Sequence, residues 1–152
     1  MQNAFLAAFA EDFRNVVLIG TDFPDLPVEI IEKAANSLAS KDAVIGPARD
    51  GGYYLIGLRK PARRLLREVQ MSTPHVLADT LRLAREENLR VALLPPWYDV
   101  DDQASLRHLI AELRTSGGSV APHTRSALER MGRLHGDFRG FSLFDSHQDP
   151  LP

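Results

Sequence analysis

The apolar positions at the start of the chain predict a helix followed by a strand. Phe5, Phe9 and Phe13 are spaced four residues apart within residues 3–14, which places them on one face of an amphipathic helix. Val16–Ile19 is then a run of apolar residues without polar alternation. Such a run is typical of a strand that is covered on both faces in a parallel sheet.

Helices and strands continue to alternate along the rest of the chain. Strands are predicted at 42–48, 53–58 and 90–94, and helices after Pro27, from Thr73 to Asn88, from Asp101 or Asp102 to Gly117, and at 124–131. This alternation predicts an α/β layer architecture. Residues 1–132 are predicted to form one domain, and the tail at 133–152 is predicted to be irregular.

Composition narrows the functional classes. The 152 residues are 44% hydrophobic and 25% charged, with a net charge of -2, so no excess of positive charge favours a nucleic acid or an anionic membrane. The basic stretch Arg59–Arg67 lacks aromatic residues, and we interpret it as a solvated helix face. The absence of cysteine excludes disulfides and thiolate chemistry. No apolar run is long enough to span a membrane, and we expect a cytoplasmic protein.

Carboxylates follow two of the predicted strands. Asp22 comes directly after Val16–Ile19 in VVLIGTDFPDL, and Asp99, Asp101 and Asp102 follow the strand at 90–94. In open α/β sheets, ligands bind beyond the carboxyl ends of the strands, so the two groups could meet there. Oxygen ligands alone suit Mg²⁺ or Mn²⁺ with a phosphorylated substrate. The alternative is local: Asp22 as a turn former, and Asp101 or Asp102 as a helix cap.

A glycine-rich turn is the second candidate feature. Gly51 and Gly52 allow the backbone to approach a ligand closely, although DGG is equally typical of an ordinary hairpin. Tyr53 and Tyr54 should face opposite sides of the strand, so one is expected in the core and the other towards the site. Trp97 could form a platform for a sugar or a base, but a core or rim aromatic is more frequent. Ser72 and Thr73 are interpreted as a helix cap.

Four segments together resemble a known family: VVLIGTDFPDL, AVIGPARDGGYYLIGL, MSTPHVLADTL and ALLPPWYDVDDQASL. They resemble a bacterial family of GT-A-type glycosyltransferases of unknown detailed function, which is similar to the guanylyltransferases of molybdenum cofactor and phospholactate metabolism. The resemblance extends over about residues 3 to 131. It implies the nucleotide-diphospho-sugar transferase fold, a three-layer α/β/α sandwich.

The resemblance also implies roles for particular residues. Asp22 matches a metal-binding and catalytic carboxylate, and Asp99 and Asp101 match carboxylates that complete the metal site. Asp50 matches a catalytic position in the acceptor-side loop. The substrate-binding positions are Thr21, Gly51, Gly52, Tyr53 and Trp97. The implied cofactor is Mg²⁺ or Mn²⁺, and the implied substrates are a nucleotide sugar and an unknown acceptor.

Members of that family begin with a strand and a glycine-rich basic loop that hold the nucleotide, and this sequence starts inside the helix before VVLIGTD. We therefore expect the nucleotide-binding part of the fold to be absent. The strand at 16–19 would then have an open side that invites a homo-oligomer. Three functions follow: a glycosyltransferase, a nucleotidyltransferase of the guanylyltransferase type, or a non-catalytic remnant that self-associates.

Overall fold

The computed structural model describes residues 1–134, which form two compact units. The first unit is Met1–Val100, and the second begins at Asp101. The first contains α1 (Gln2–Ala10), β1 (Val16–Ile19), α2 (Val28–Ser37), β2 (Ala43–Pro47), β3 (Tyr53–Leu58), α3 (Arg63–Arg67), α4 (Val76–Glu86) and β4 (Val91–Leu93). The second contains α5 (Gln103–Thr115) and α6 (Pro122–Arg130). The predicted irregular tail, from residue 135 onwards, lies outside the described residues.

The four strands form one mixed sheet in the order β1-β3-β2-β4. Strand β3 is antiparallel to both of its neighbours, whereas β2 and β4 are parallel. The parallel neighbour predicted for β1 is therefore wrong, because β3 returns from β2 as a hairpin and inserts between β1 and β2. Strands β1, β2 and β4 still run in the same direction, so their carboxyl ends lie at one end of the sheet.

Helices cover both faces of the sheet in the first unit. One face carries a core cluster of buried residues from α1, α3, α4 and the sheet, including Phe5, Ile45, Ile56, Leu65 and Leu83. The other face carries a second cluster from α2 and the sheet, formed by Ala34, Leu38, Val44, Tyr54, Leu55 and Leu94. The predicted three-layer α/β/α arrangement is confirmed.

Strand β1 packs on both faces, as its apolar run predicts. Val16 and Leu18 contact the first cluster, and Val17 contacts the second. However, β1 is an edge strand whose side chains are only partly buried, and Ile19 is 41% exposed. The open side that the sequence predicted for this strand is therefore present among residues 1–134.

The pairing of β2 with β3 shifts by one residue at the hairpin end. Ile45 pairs with Ile56 and Gly46 with Leu55, but Pro47 pairs with Tyr53, so Tyr54 has no partner on β2. This extra residue places Tyr54 on the same face as Leu55, which strict alternation would not do.

Three predictions about helix ends have different outcomes. Helix α1 ends at Ala10, so Phe13 lies beyond it and is 60% exposed instead of completing the apolar face. Helix α4 begins after His75 without a side-chain cap, so the cap predicted from Ser72 and Thr73 is wrong. Asp102 does cap α5, since its carboxylate accepts the Ser105 backbone N–H at 2.7 Å. This hydrogen bond lowers the pKa of Asp102.

The basic stretch forms α3 and the segment before it. Arg64 binds Glu68, Glu86 and Glu87 at 2.9 to 3.1 Å, and all four side chains are exposed. The prediction of a solvated helix face is confirmed, since Arg64 and the three glutamates that it binds are all exposed to solvent. Within residues 1–134, the helices are all too short or too polar to cross a bilayer.

Candidate functional site

A pocket of about 490 Å³ lies in the first unit, beyond the carboxyl ends of β1 and β2. Four segments line it, and each follows a strand, joins two strands or begins a helix. The lining residues are Gly20, Asp22 and Phe23 after β1; Ala48, Asp50, Gly52 and Tyr53 at the β2–β3 hairpin; Met71, Ser72, Thr73, Pro74 and Val76 at the start of α4; and Asp99 after β4. This volume is within the range of small-molecule sites.

Asp22 and Asp99 reach this pocket from segments far apart in the sequence. The segments are joined directly, because the backbone N–H of Val100 donates to the carbonyl oxygen of Asp22 at 2.8 Å. The carboxylate of Asp22 is exposed and accepts a 3.3 Å hydrogen bond from the hydroxyl of Thr21. Thr21 itself does not line the pocket. The structure thus brings together two of the carboxylates that the sequence predicted to meet.

Asp50 lines the same pocket from the hairpin loop. Its carboxylate accepts the backbone N–H of Gly52 at 2.9 Å, which closes a local turn. Asp50 is exposed, so one carboxylate shapes the loop and also faces the pocket. The hairpin interpretation of the DGG stretch is confirmed, and the same turn forms one wall of the pocket. A role of this loop in ligand binding stays a prediction.

Gly51 has a structural reason to be glycine. Its φ is +90°, and a Cβ at this position would lie 2.1 Å from the carbonyl oxygen of Pro74. The carbonyl of Gly51 accepts the N–H of Leu77 at 2.9 Å, in the first turn of α4. Gly51 therefore attaches the hairpin loop to the start of α4 and does not itself line the pocket.

The two tyrosines of β3 divide as the sequence predicted. Tyr54 is fully buried, and its hydroxyl donates to the carbonyl of Pro95 at 2.9 Å. Tyr53 lines the pocket, and its hydroxyl lies 3.7 Å from the sulfur of Met1 and 3.9 Å from that of Met71. Burial raises the pKa of Tyr53 above its ordinary value.

Trp97 is placed as a structural aromatic and not as a pocket platform. Its indole Nε1–H donates to Asp25 at 3.2 Å, and its ring packs against the α2-side core cluster. Trp97 is absent from the pocket lining, so the more frequent interpretation of this aromatic agrees with the structure. Asp25, which no motif of the sequence singled out, is one of two residues classed as polar or charged that are buried in the described part of the chain.

Sequence reasoning also missed the segment Met71–Pro74 as a pocket wall. Ser72 and Thr73 were interpreted as caps, but in the structure the hydroxyl of Thr73 accepts the N–H of His75 at 3.4 Å and Ser72 has a φ of 61°. The signal that could have identified the segment was its place in MSTPHVLADTL, one of the segments that resemble the family.

Two of the three predicted metal ligands, Asp22 and Asp99, line the pocket of the first unit. Asp101 belongs to the second unit, where its backbone N–H donates to the hydroxyl of Ser105 at 3.2 Å. Among residues 1–134, no three His, Asp or Glu side chains are grouped so that they could hold a metal ion by themselves. The pocket nevertheless has an acidic lining, with three carboxylates and no lysine, arginine or histidine among its described residues.

Comparison with known proteins supports the fold implied by the resemblance. The crystal structure of a putative nucleotide-diphospho-sugar transferase from Desulfovibrio desulfuricans G20 superposes with a TM-score of 0.74 and 36% sequence identity. The match covers 86% of this chain and 60% of that chain. The chain described here therefore has the nucleotide-diphospho-sugar transferase fold, and it spans 60% of that relative.

A second comparison, with models of protein families, matches the first part of the chain. Residues 1–73 match the model of a family described as an uncharacterized protein conserved in bacteria (DUF2064). This match includes α1 to β3 and thus the segments that carry Asp22 and Asp50. A comparison with curated proteins gives no match.

Proposed function

We propose that this pocket serves the transfer of a sugar from a nucleotide-diphospho-sugar donor to an acceptor, with a divalent metal ion. The observation that carries this proposal is the placement of Asp22, Asp50 and Asp99 around one pocket at the carboxyl ends of the strands. The fold shared with the Desulfovibrio protein supports the same class of reaction. Because the chain spans 60% of that relative, the activity is proposed for the whole protein of this kind.

The acidic lining favours a metal ion if the ligand carries phosphates. A diphosphate placed beside three carboxylates would be repelled, since the described lining contains no cationic side chain. Mg²⁺ usually binds through one or two carboxylates and completes its shell with substrate phosphates and water. Two carboxylates without a third protein ligand therefore fit Mg²⁺ or Mn²⁺, and we assign them to Asp22 and Asp99. When bound, the ion would neutralise charge on the departing diphosphate.

Asp50 is suited to act on the acceptor. It is exposed, and it faces the pocket from the hairpin beside the hydroxyl-bearing segment Ser72–Thr73. In the proposed reaction, Asp50 takes the proton of the acceptor hydroxyl, and the acceptor oxygen forms a bond to the anomeric carbon of the sugar. The bond from that carbon to the diphosphate oxygen breaks, and its electron pair leaves with the nucleoside diphosphate.

The first prediction concerns the metal. Mn²⁺ binding, measured by loss of the free-ion electron paramagnetic resonance signal, should strengthen when UDP- or GDP-sugars are added to the wild-type protein. Asp22→Asn and Asp99→Asn should each weaken this binding by at least about tenfold while the protein stays folded, because each removes a charged ligand. If Asp22 serves only as a turn former, the same variant should lose about 1 kcal/mol of stability with no effect on Mn²⁺.

Matched variants make this measurement specific. Asp12→Asn alters an exposed carboxylate outside the pocket and should leave Mn²⁺ binding unchanged. Asp101→Asn tests the third ligand predicted from the sequence. No response of the wild-type protein to any nucleotide sugar would count against the proposal. Pyrophosphate release from a nucleoside triphosphate with a phosphorylated acceptor would instead indicate a nucleotidyltransferase.

A further inference from the structure

Asp25 is a buried carboxylate held by two neutral donors. It is 8% exposed, and its two oxygens accept hydrogen bonds from different side chains. The indole Nε1–H of Trp97 donates to Oδ1 at 3.2 Å, and the hydroxyl of Tyr98 donates to Oδ2 at 2.9 Å. Burial of a carboxylate costs free energy that neutral donors offset only in part. An apolar residue at this position would take this acceptor from the indole N–H of Trp97 and the hydroxyl of Tyr98, so the contact depends on the carboxylate.

The two donor residues, Trp97 and Tyr98, lie in a segment that is attached to the sheet. The backbone N–H of Trp97 donates to the carbonyl of Pro47 at 3.0 Å, and its carbonyl accepts the N–H of Arg49 at 3.1 Å. These bonds extend the parallel pairing of β2 and β4 through a bridge between Ala48 and Trp97. The guanidinium of Arg49 also lies over the ring of Tyr98, 5.7 Å from its centre. Trp97 and Tyr98 are thus fixed to the sheet.

Asp25, by contrast, lies in a segment that does not pair with any strand. It lies in the connection between β1 and α2, three positions after Asp22, where no strand pairing holds the chain. Tyr98, its partner, immediately precedes Asp99. The connection is tied to the segment after β4 by the Asp25 side chain at one point and by the Val100–Asp22 backbone bond at another.

We infer that Asp25 is a positioning residue of the pocket. Its carboxylate holds the loop that carries Asp22 against the segment that carries Asp99, and so sets the separation of the two pocket carboxylates. The inference rests on the proposed function for the metal ion that Asp22 and Asp99 would share. The positioning itself concerns only contacts within the first unit.

Three substitutions change the hydrogen bonds of Asp25 to different extents. Asp25→Leu keeps a similar volume and removes both acceptors. Tyr98→Phe removes one donor and keeps the ring. Asp25→Asn keeps the contact, since its oxygen can accept from Trp97 and its amide can donate to the Tyr98 oxygen, because a hydroxyl both donates and accepts.

The test uses two measurements on the full chain. The first is Mn²⁺ binding with a nucleotide sugar present, which Asp25→Leu should weaken by about tenfold, as observed for groups that orient metal ligands. Tyr98→Phe should give a smaller loss, and Asp25→Asn should retain nearly wild-type binding. The second is hydrogen exchange of the Val100 amide by NMR, which needs no ligand. Asp25→Leu should accelerate it relative to amides of β2 and β3.

The outcomes separate this inference from the proposed function. Wild-type Mn²⁺ affinity and wild-type Val100 exchange in folded Asp25→Leu and Tyr98→Phe would overturn the positioning role. A lower melting temperature with both readouts unchanged would also overturn it, since that is the result of a purely structural contact. If the wild-type protein binds no Mn²⁺ but Val100 exchange accelerates in the variants, the proposed function fails and the positioning role stands.

Discussion

Asp42 and Arg90 form an ion pair that joins the amino ends of β2 and β4. The guanidinium of Arg90 donates to both carboxylate oxygens, at 2.9 and 3.1 Å, and its backbone N–H donates to Oδ2 at 3.0 Å. These bonds lower the pKa of Asp42 from 3.8 to about 2. The pair lies at the opposite end of β2 from the pocket, so it concerns stability and not the proposed chemistry.

The stabilisation that this ion pair provides should be lost at low pH. The folded protein holds Asp42 ionised more strongly than the unfolded chain does, so the stabilisation is complete above pH 3.8 and is lost as the pH falls towards about 2. Urea unfolding of the wild-type protein and Asp42→Asn should therefore give free energies of unfolding that converge across this interval. Asp12→Asn, which removes an exposed carboxylate outside this ion pair, is the control for the loss of one negative charge.

Gly46 and Tyr54 show how one residue limits its neighbour in the core. A Cβ on Gly46 would lie 2.2 Å from Cζ of the buried Tyr54 ring. Gly46→Ala should therefore lower the free energy of unfolding by about 1 to 3 kcal/mol, the usual cost of overpacking. Gly118→Ala is the matched control, because a Cβ there would meet nothing within 4 Å. Chemical denaturation measures both, and equal stabilities would contradict this account.

Among the elements, the strongly periodic segments could be predicted from the sequence and the pairing of the strands could not. The apolar runs at β1 and β4 and the hairpin of β2 and β3 lie where predicted, because each is bounded by glycine or proline. Nothing local in Val16–Ile19 distinguishes a parallel neighbour from an antiparallel one, since that depends on where β3 inserts. The shift in strand register at Tyr54 could not be predicted either, because it depends on how the Tyr54 ring packs over Gly46.

In the candidate site, the strand pattern of the sequence predicted only those residues that directly follow strands. Asp22 and Asp99 follow strands directly, and the rule that ligands bind beyond the carboxyl ends of strands was enough to bring them together. Asp25 carries no such signal, because an acidic residue beside two prolines is typical of an exposed turn. Its burial depends on Trp97 and Tyr98, more than 70 positions away.

For the whole molecule, the outer edge of β1 is the surface that bears on assembly. Among residues 1–134, no strand pairs with this edge, and neither proline nor a charged residue interrupts Val16–Ile19. Edges of this kind are prone to pair with another chain. Self-association through β1, which the sequence predicted, therefore stays a prediction with a clear test.

Sedimentation at increasing protein concentration should show a dimer that Ile19→Lys shifts to monomer. The lysine would place a charge on the edge strand, and Ile19 is already 41% exposed, so the fold should tolerate it. Leu93→Lys is the control, because Leu93 is 56% exposed on β4, the strand at the opposite edge. A wild-type protein that stays monomeric at every concentration would exclude this association.

The one-residue offset at Tyr54 also constrains how this hairpin can change over evolutionary time. A hairpin one residue shorter, without this offset, would exchange the two tyrosines: the ring now in the interior would turn towards the pocket, and the other would be forced into the space above Gly46. Insertions or deletions in the hairpin should therefore be tolerated only when they leave this offset intact. A hairpin loop transplanted from a homologue would need the same offset to keep the two tyrosines in their present places.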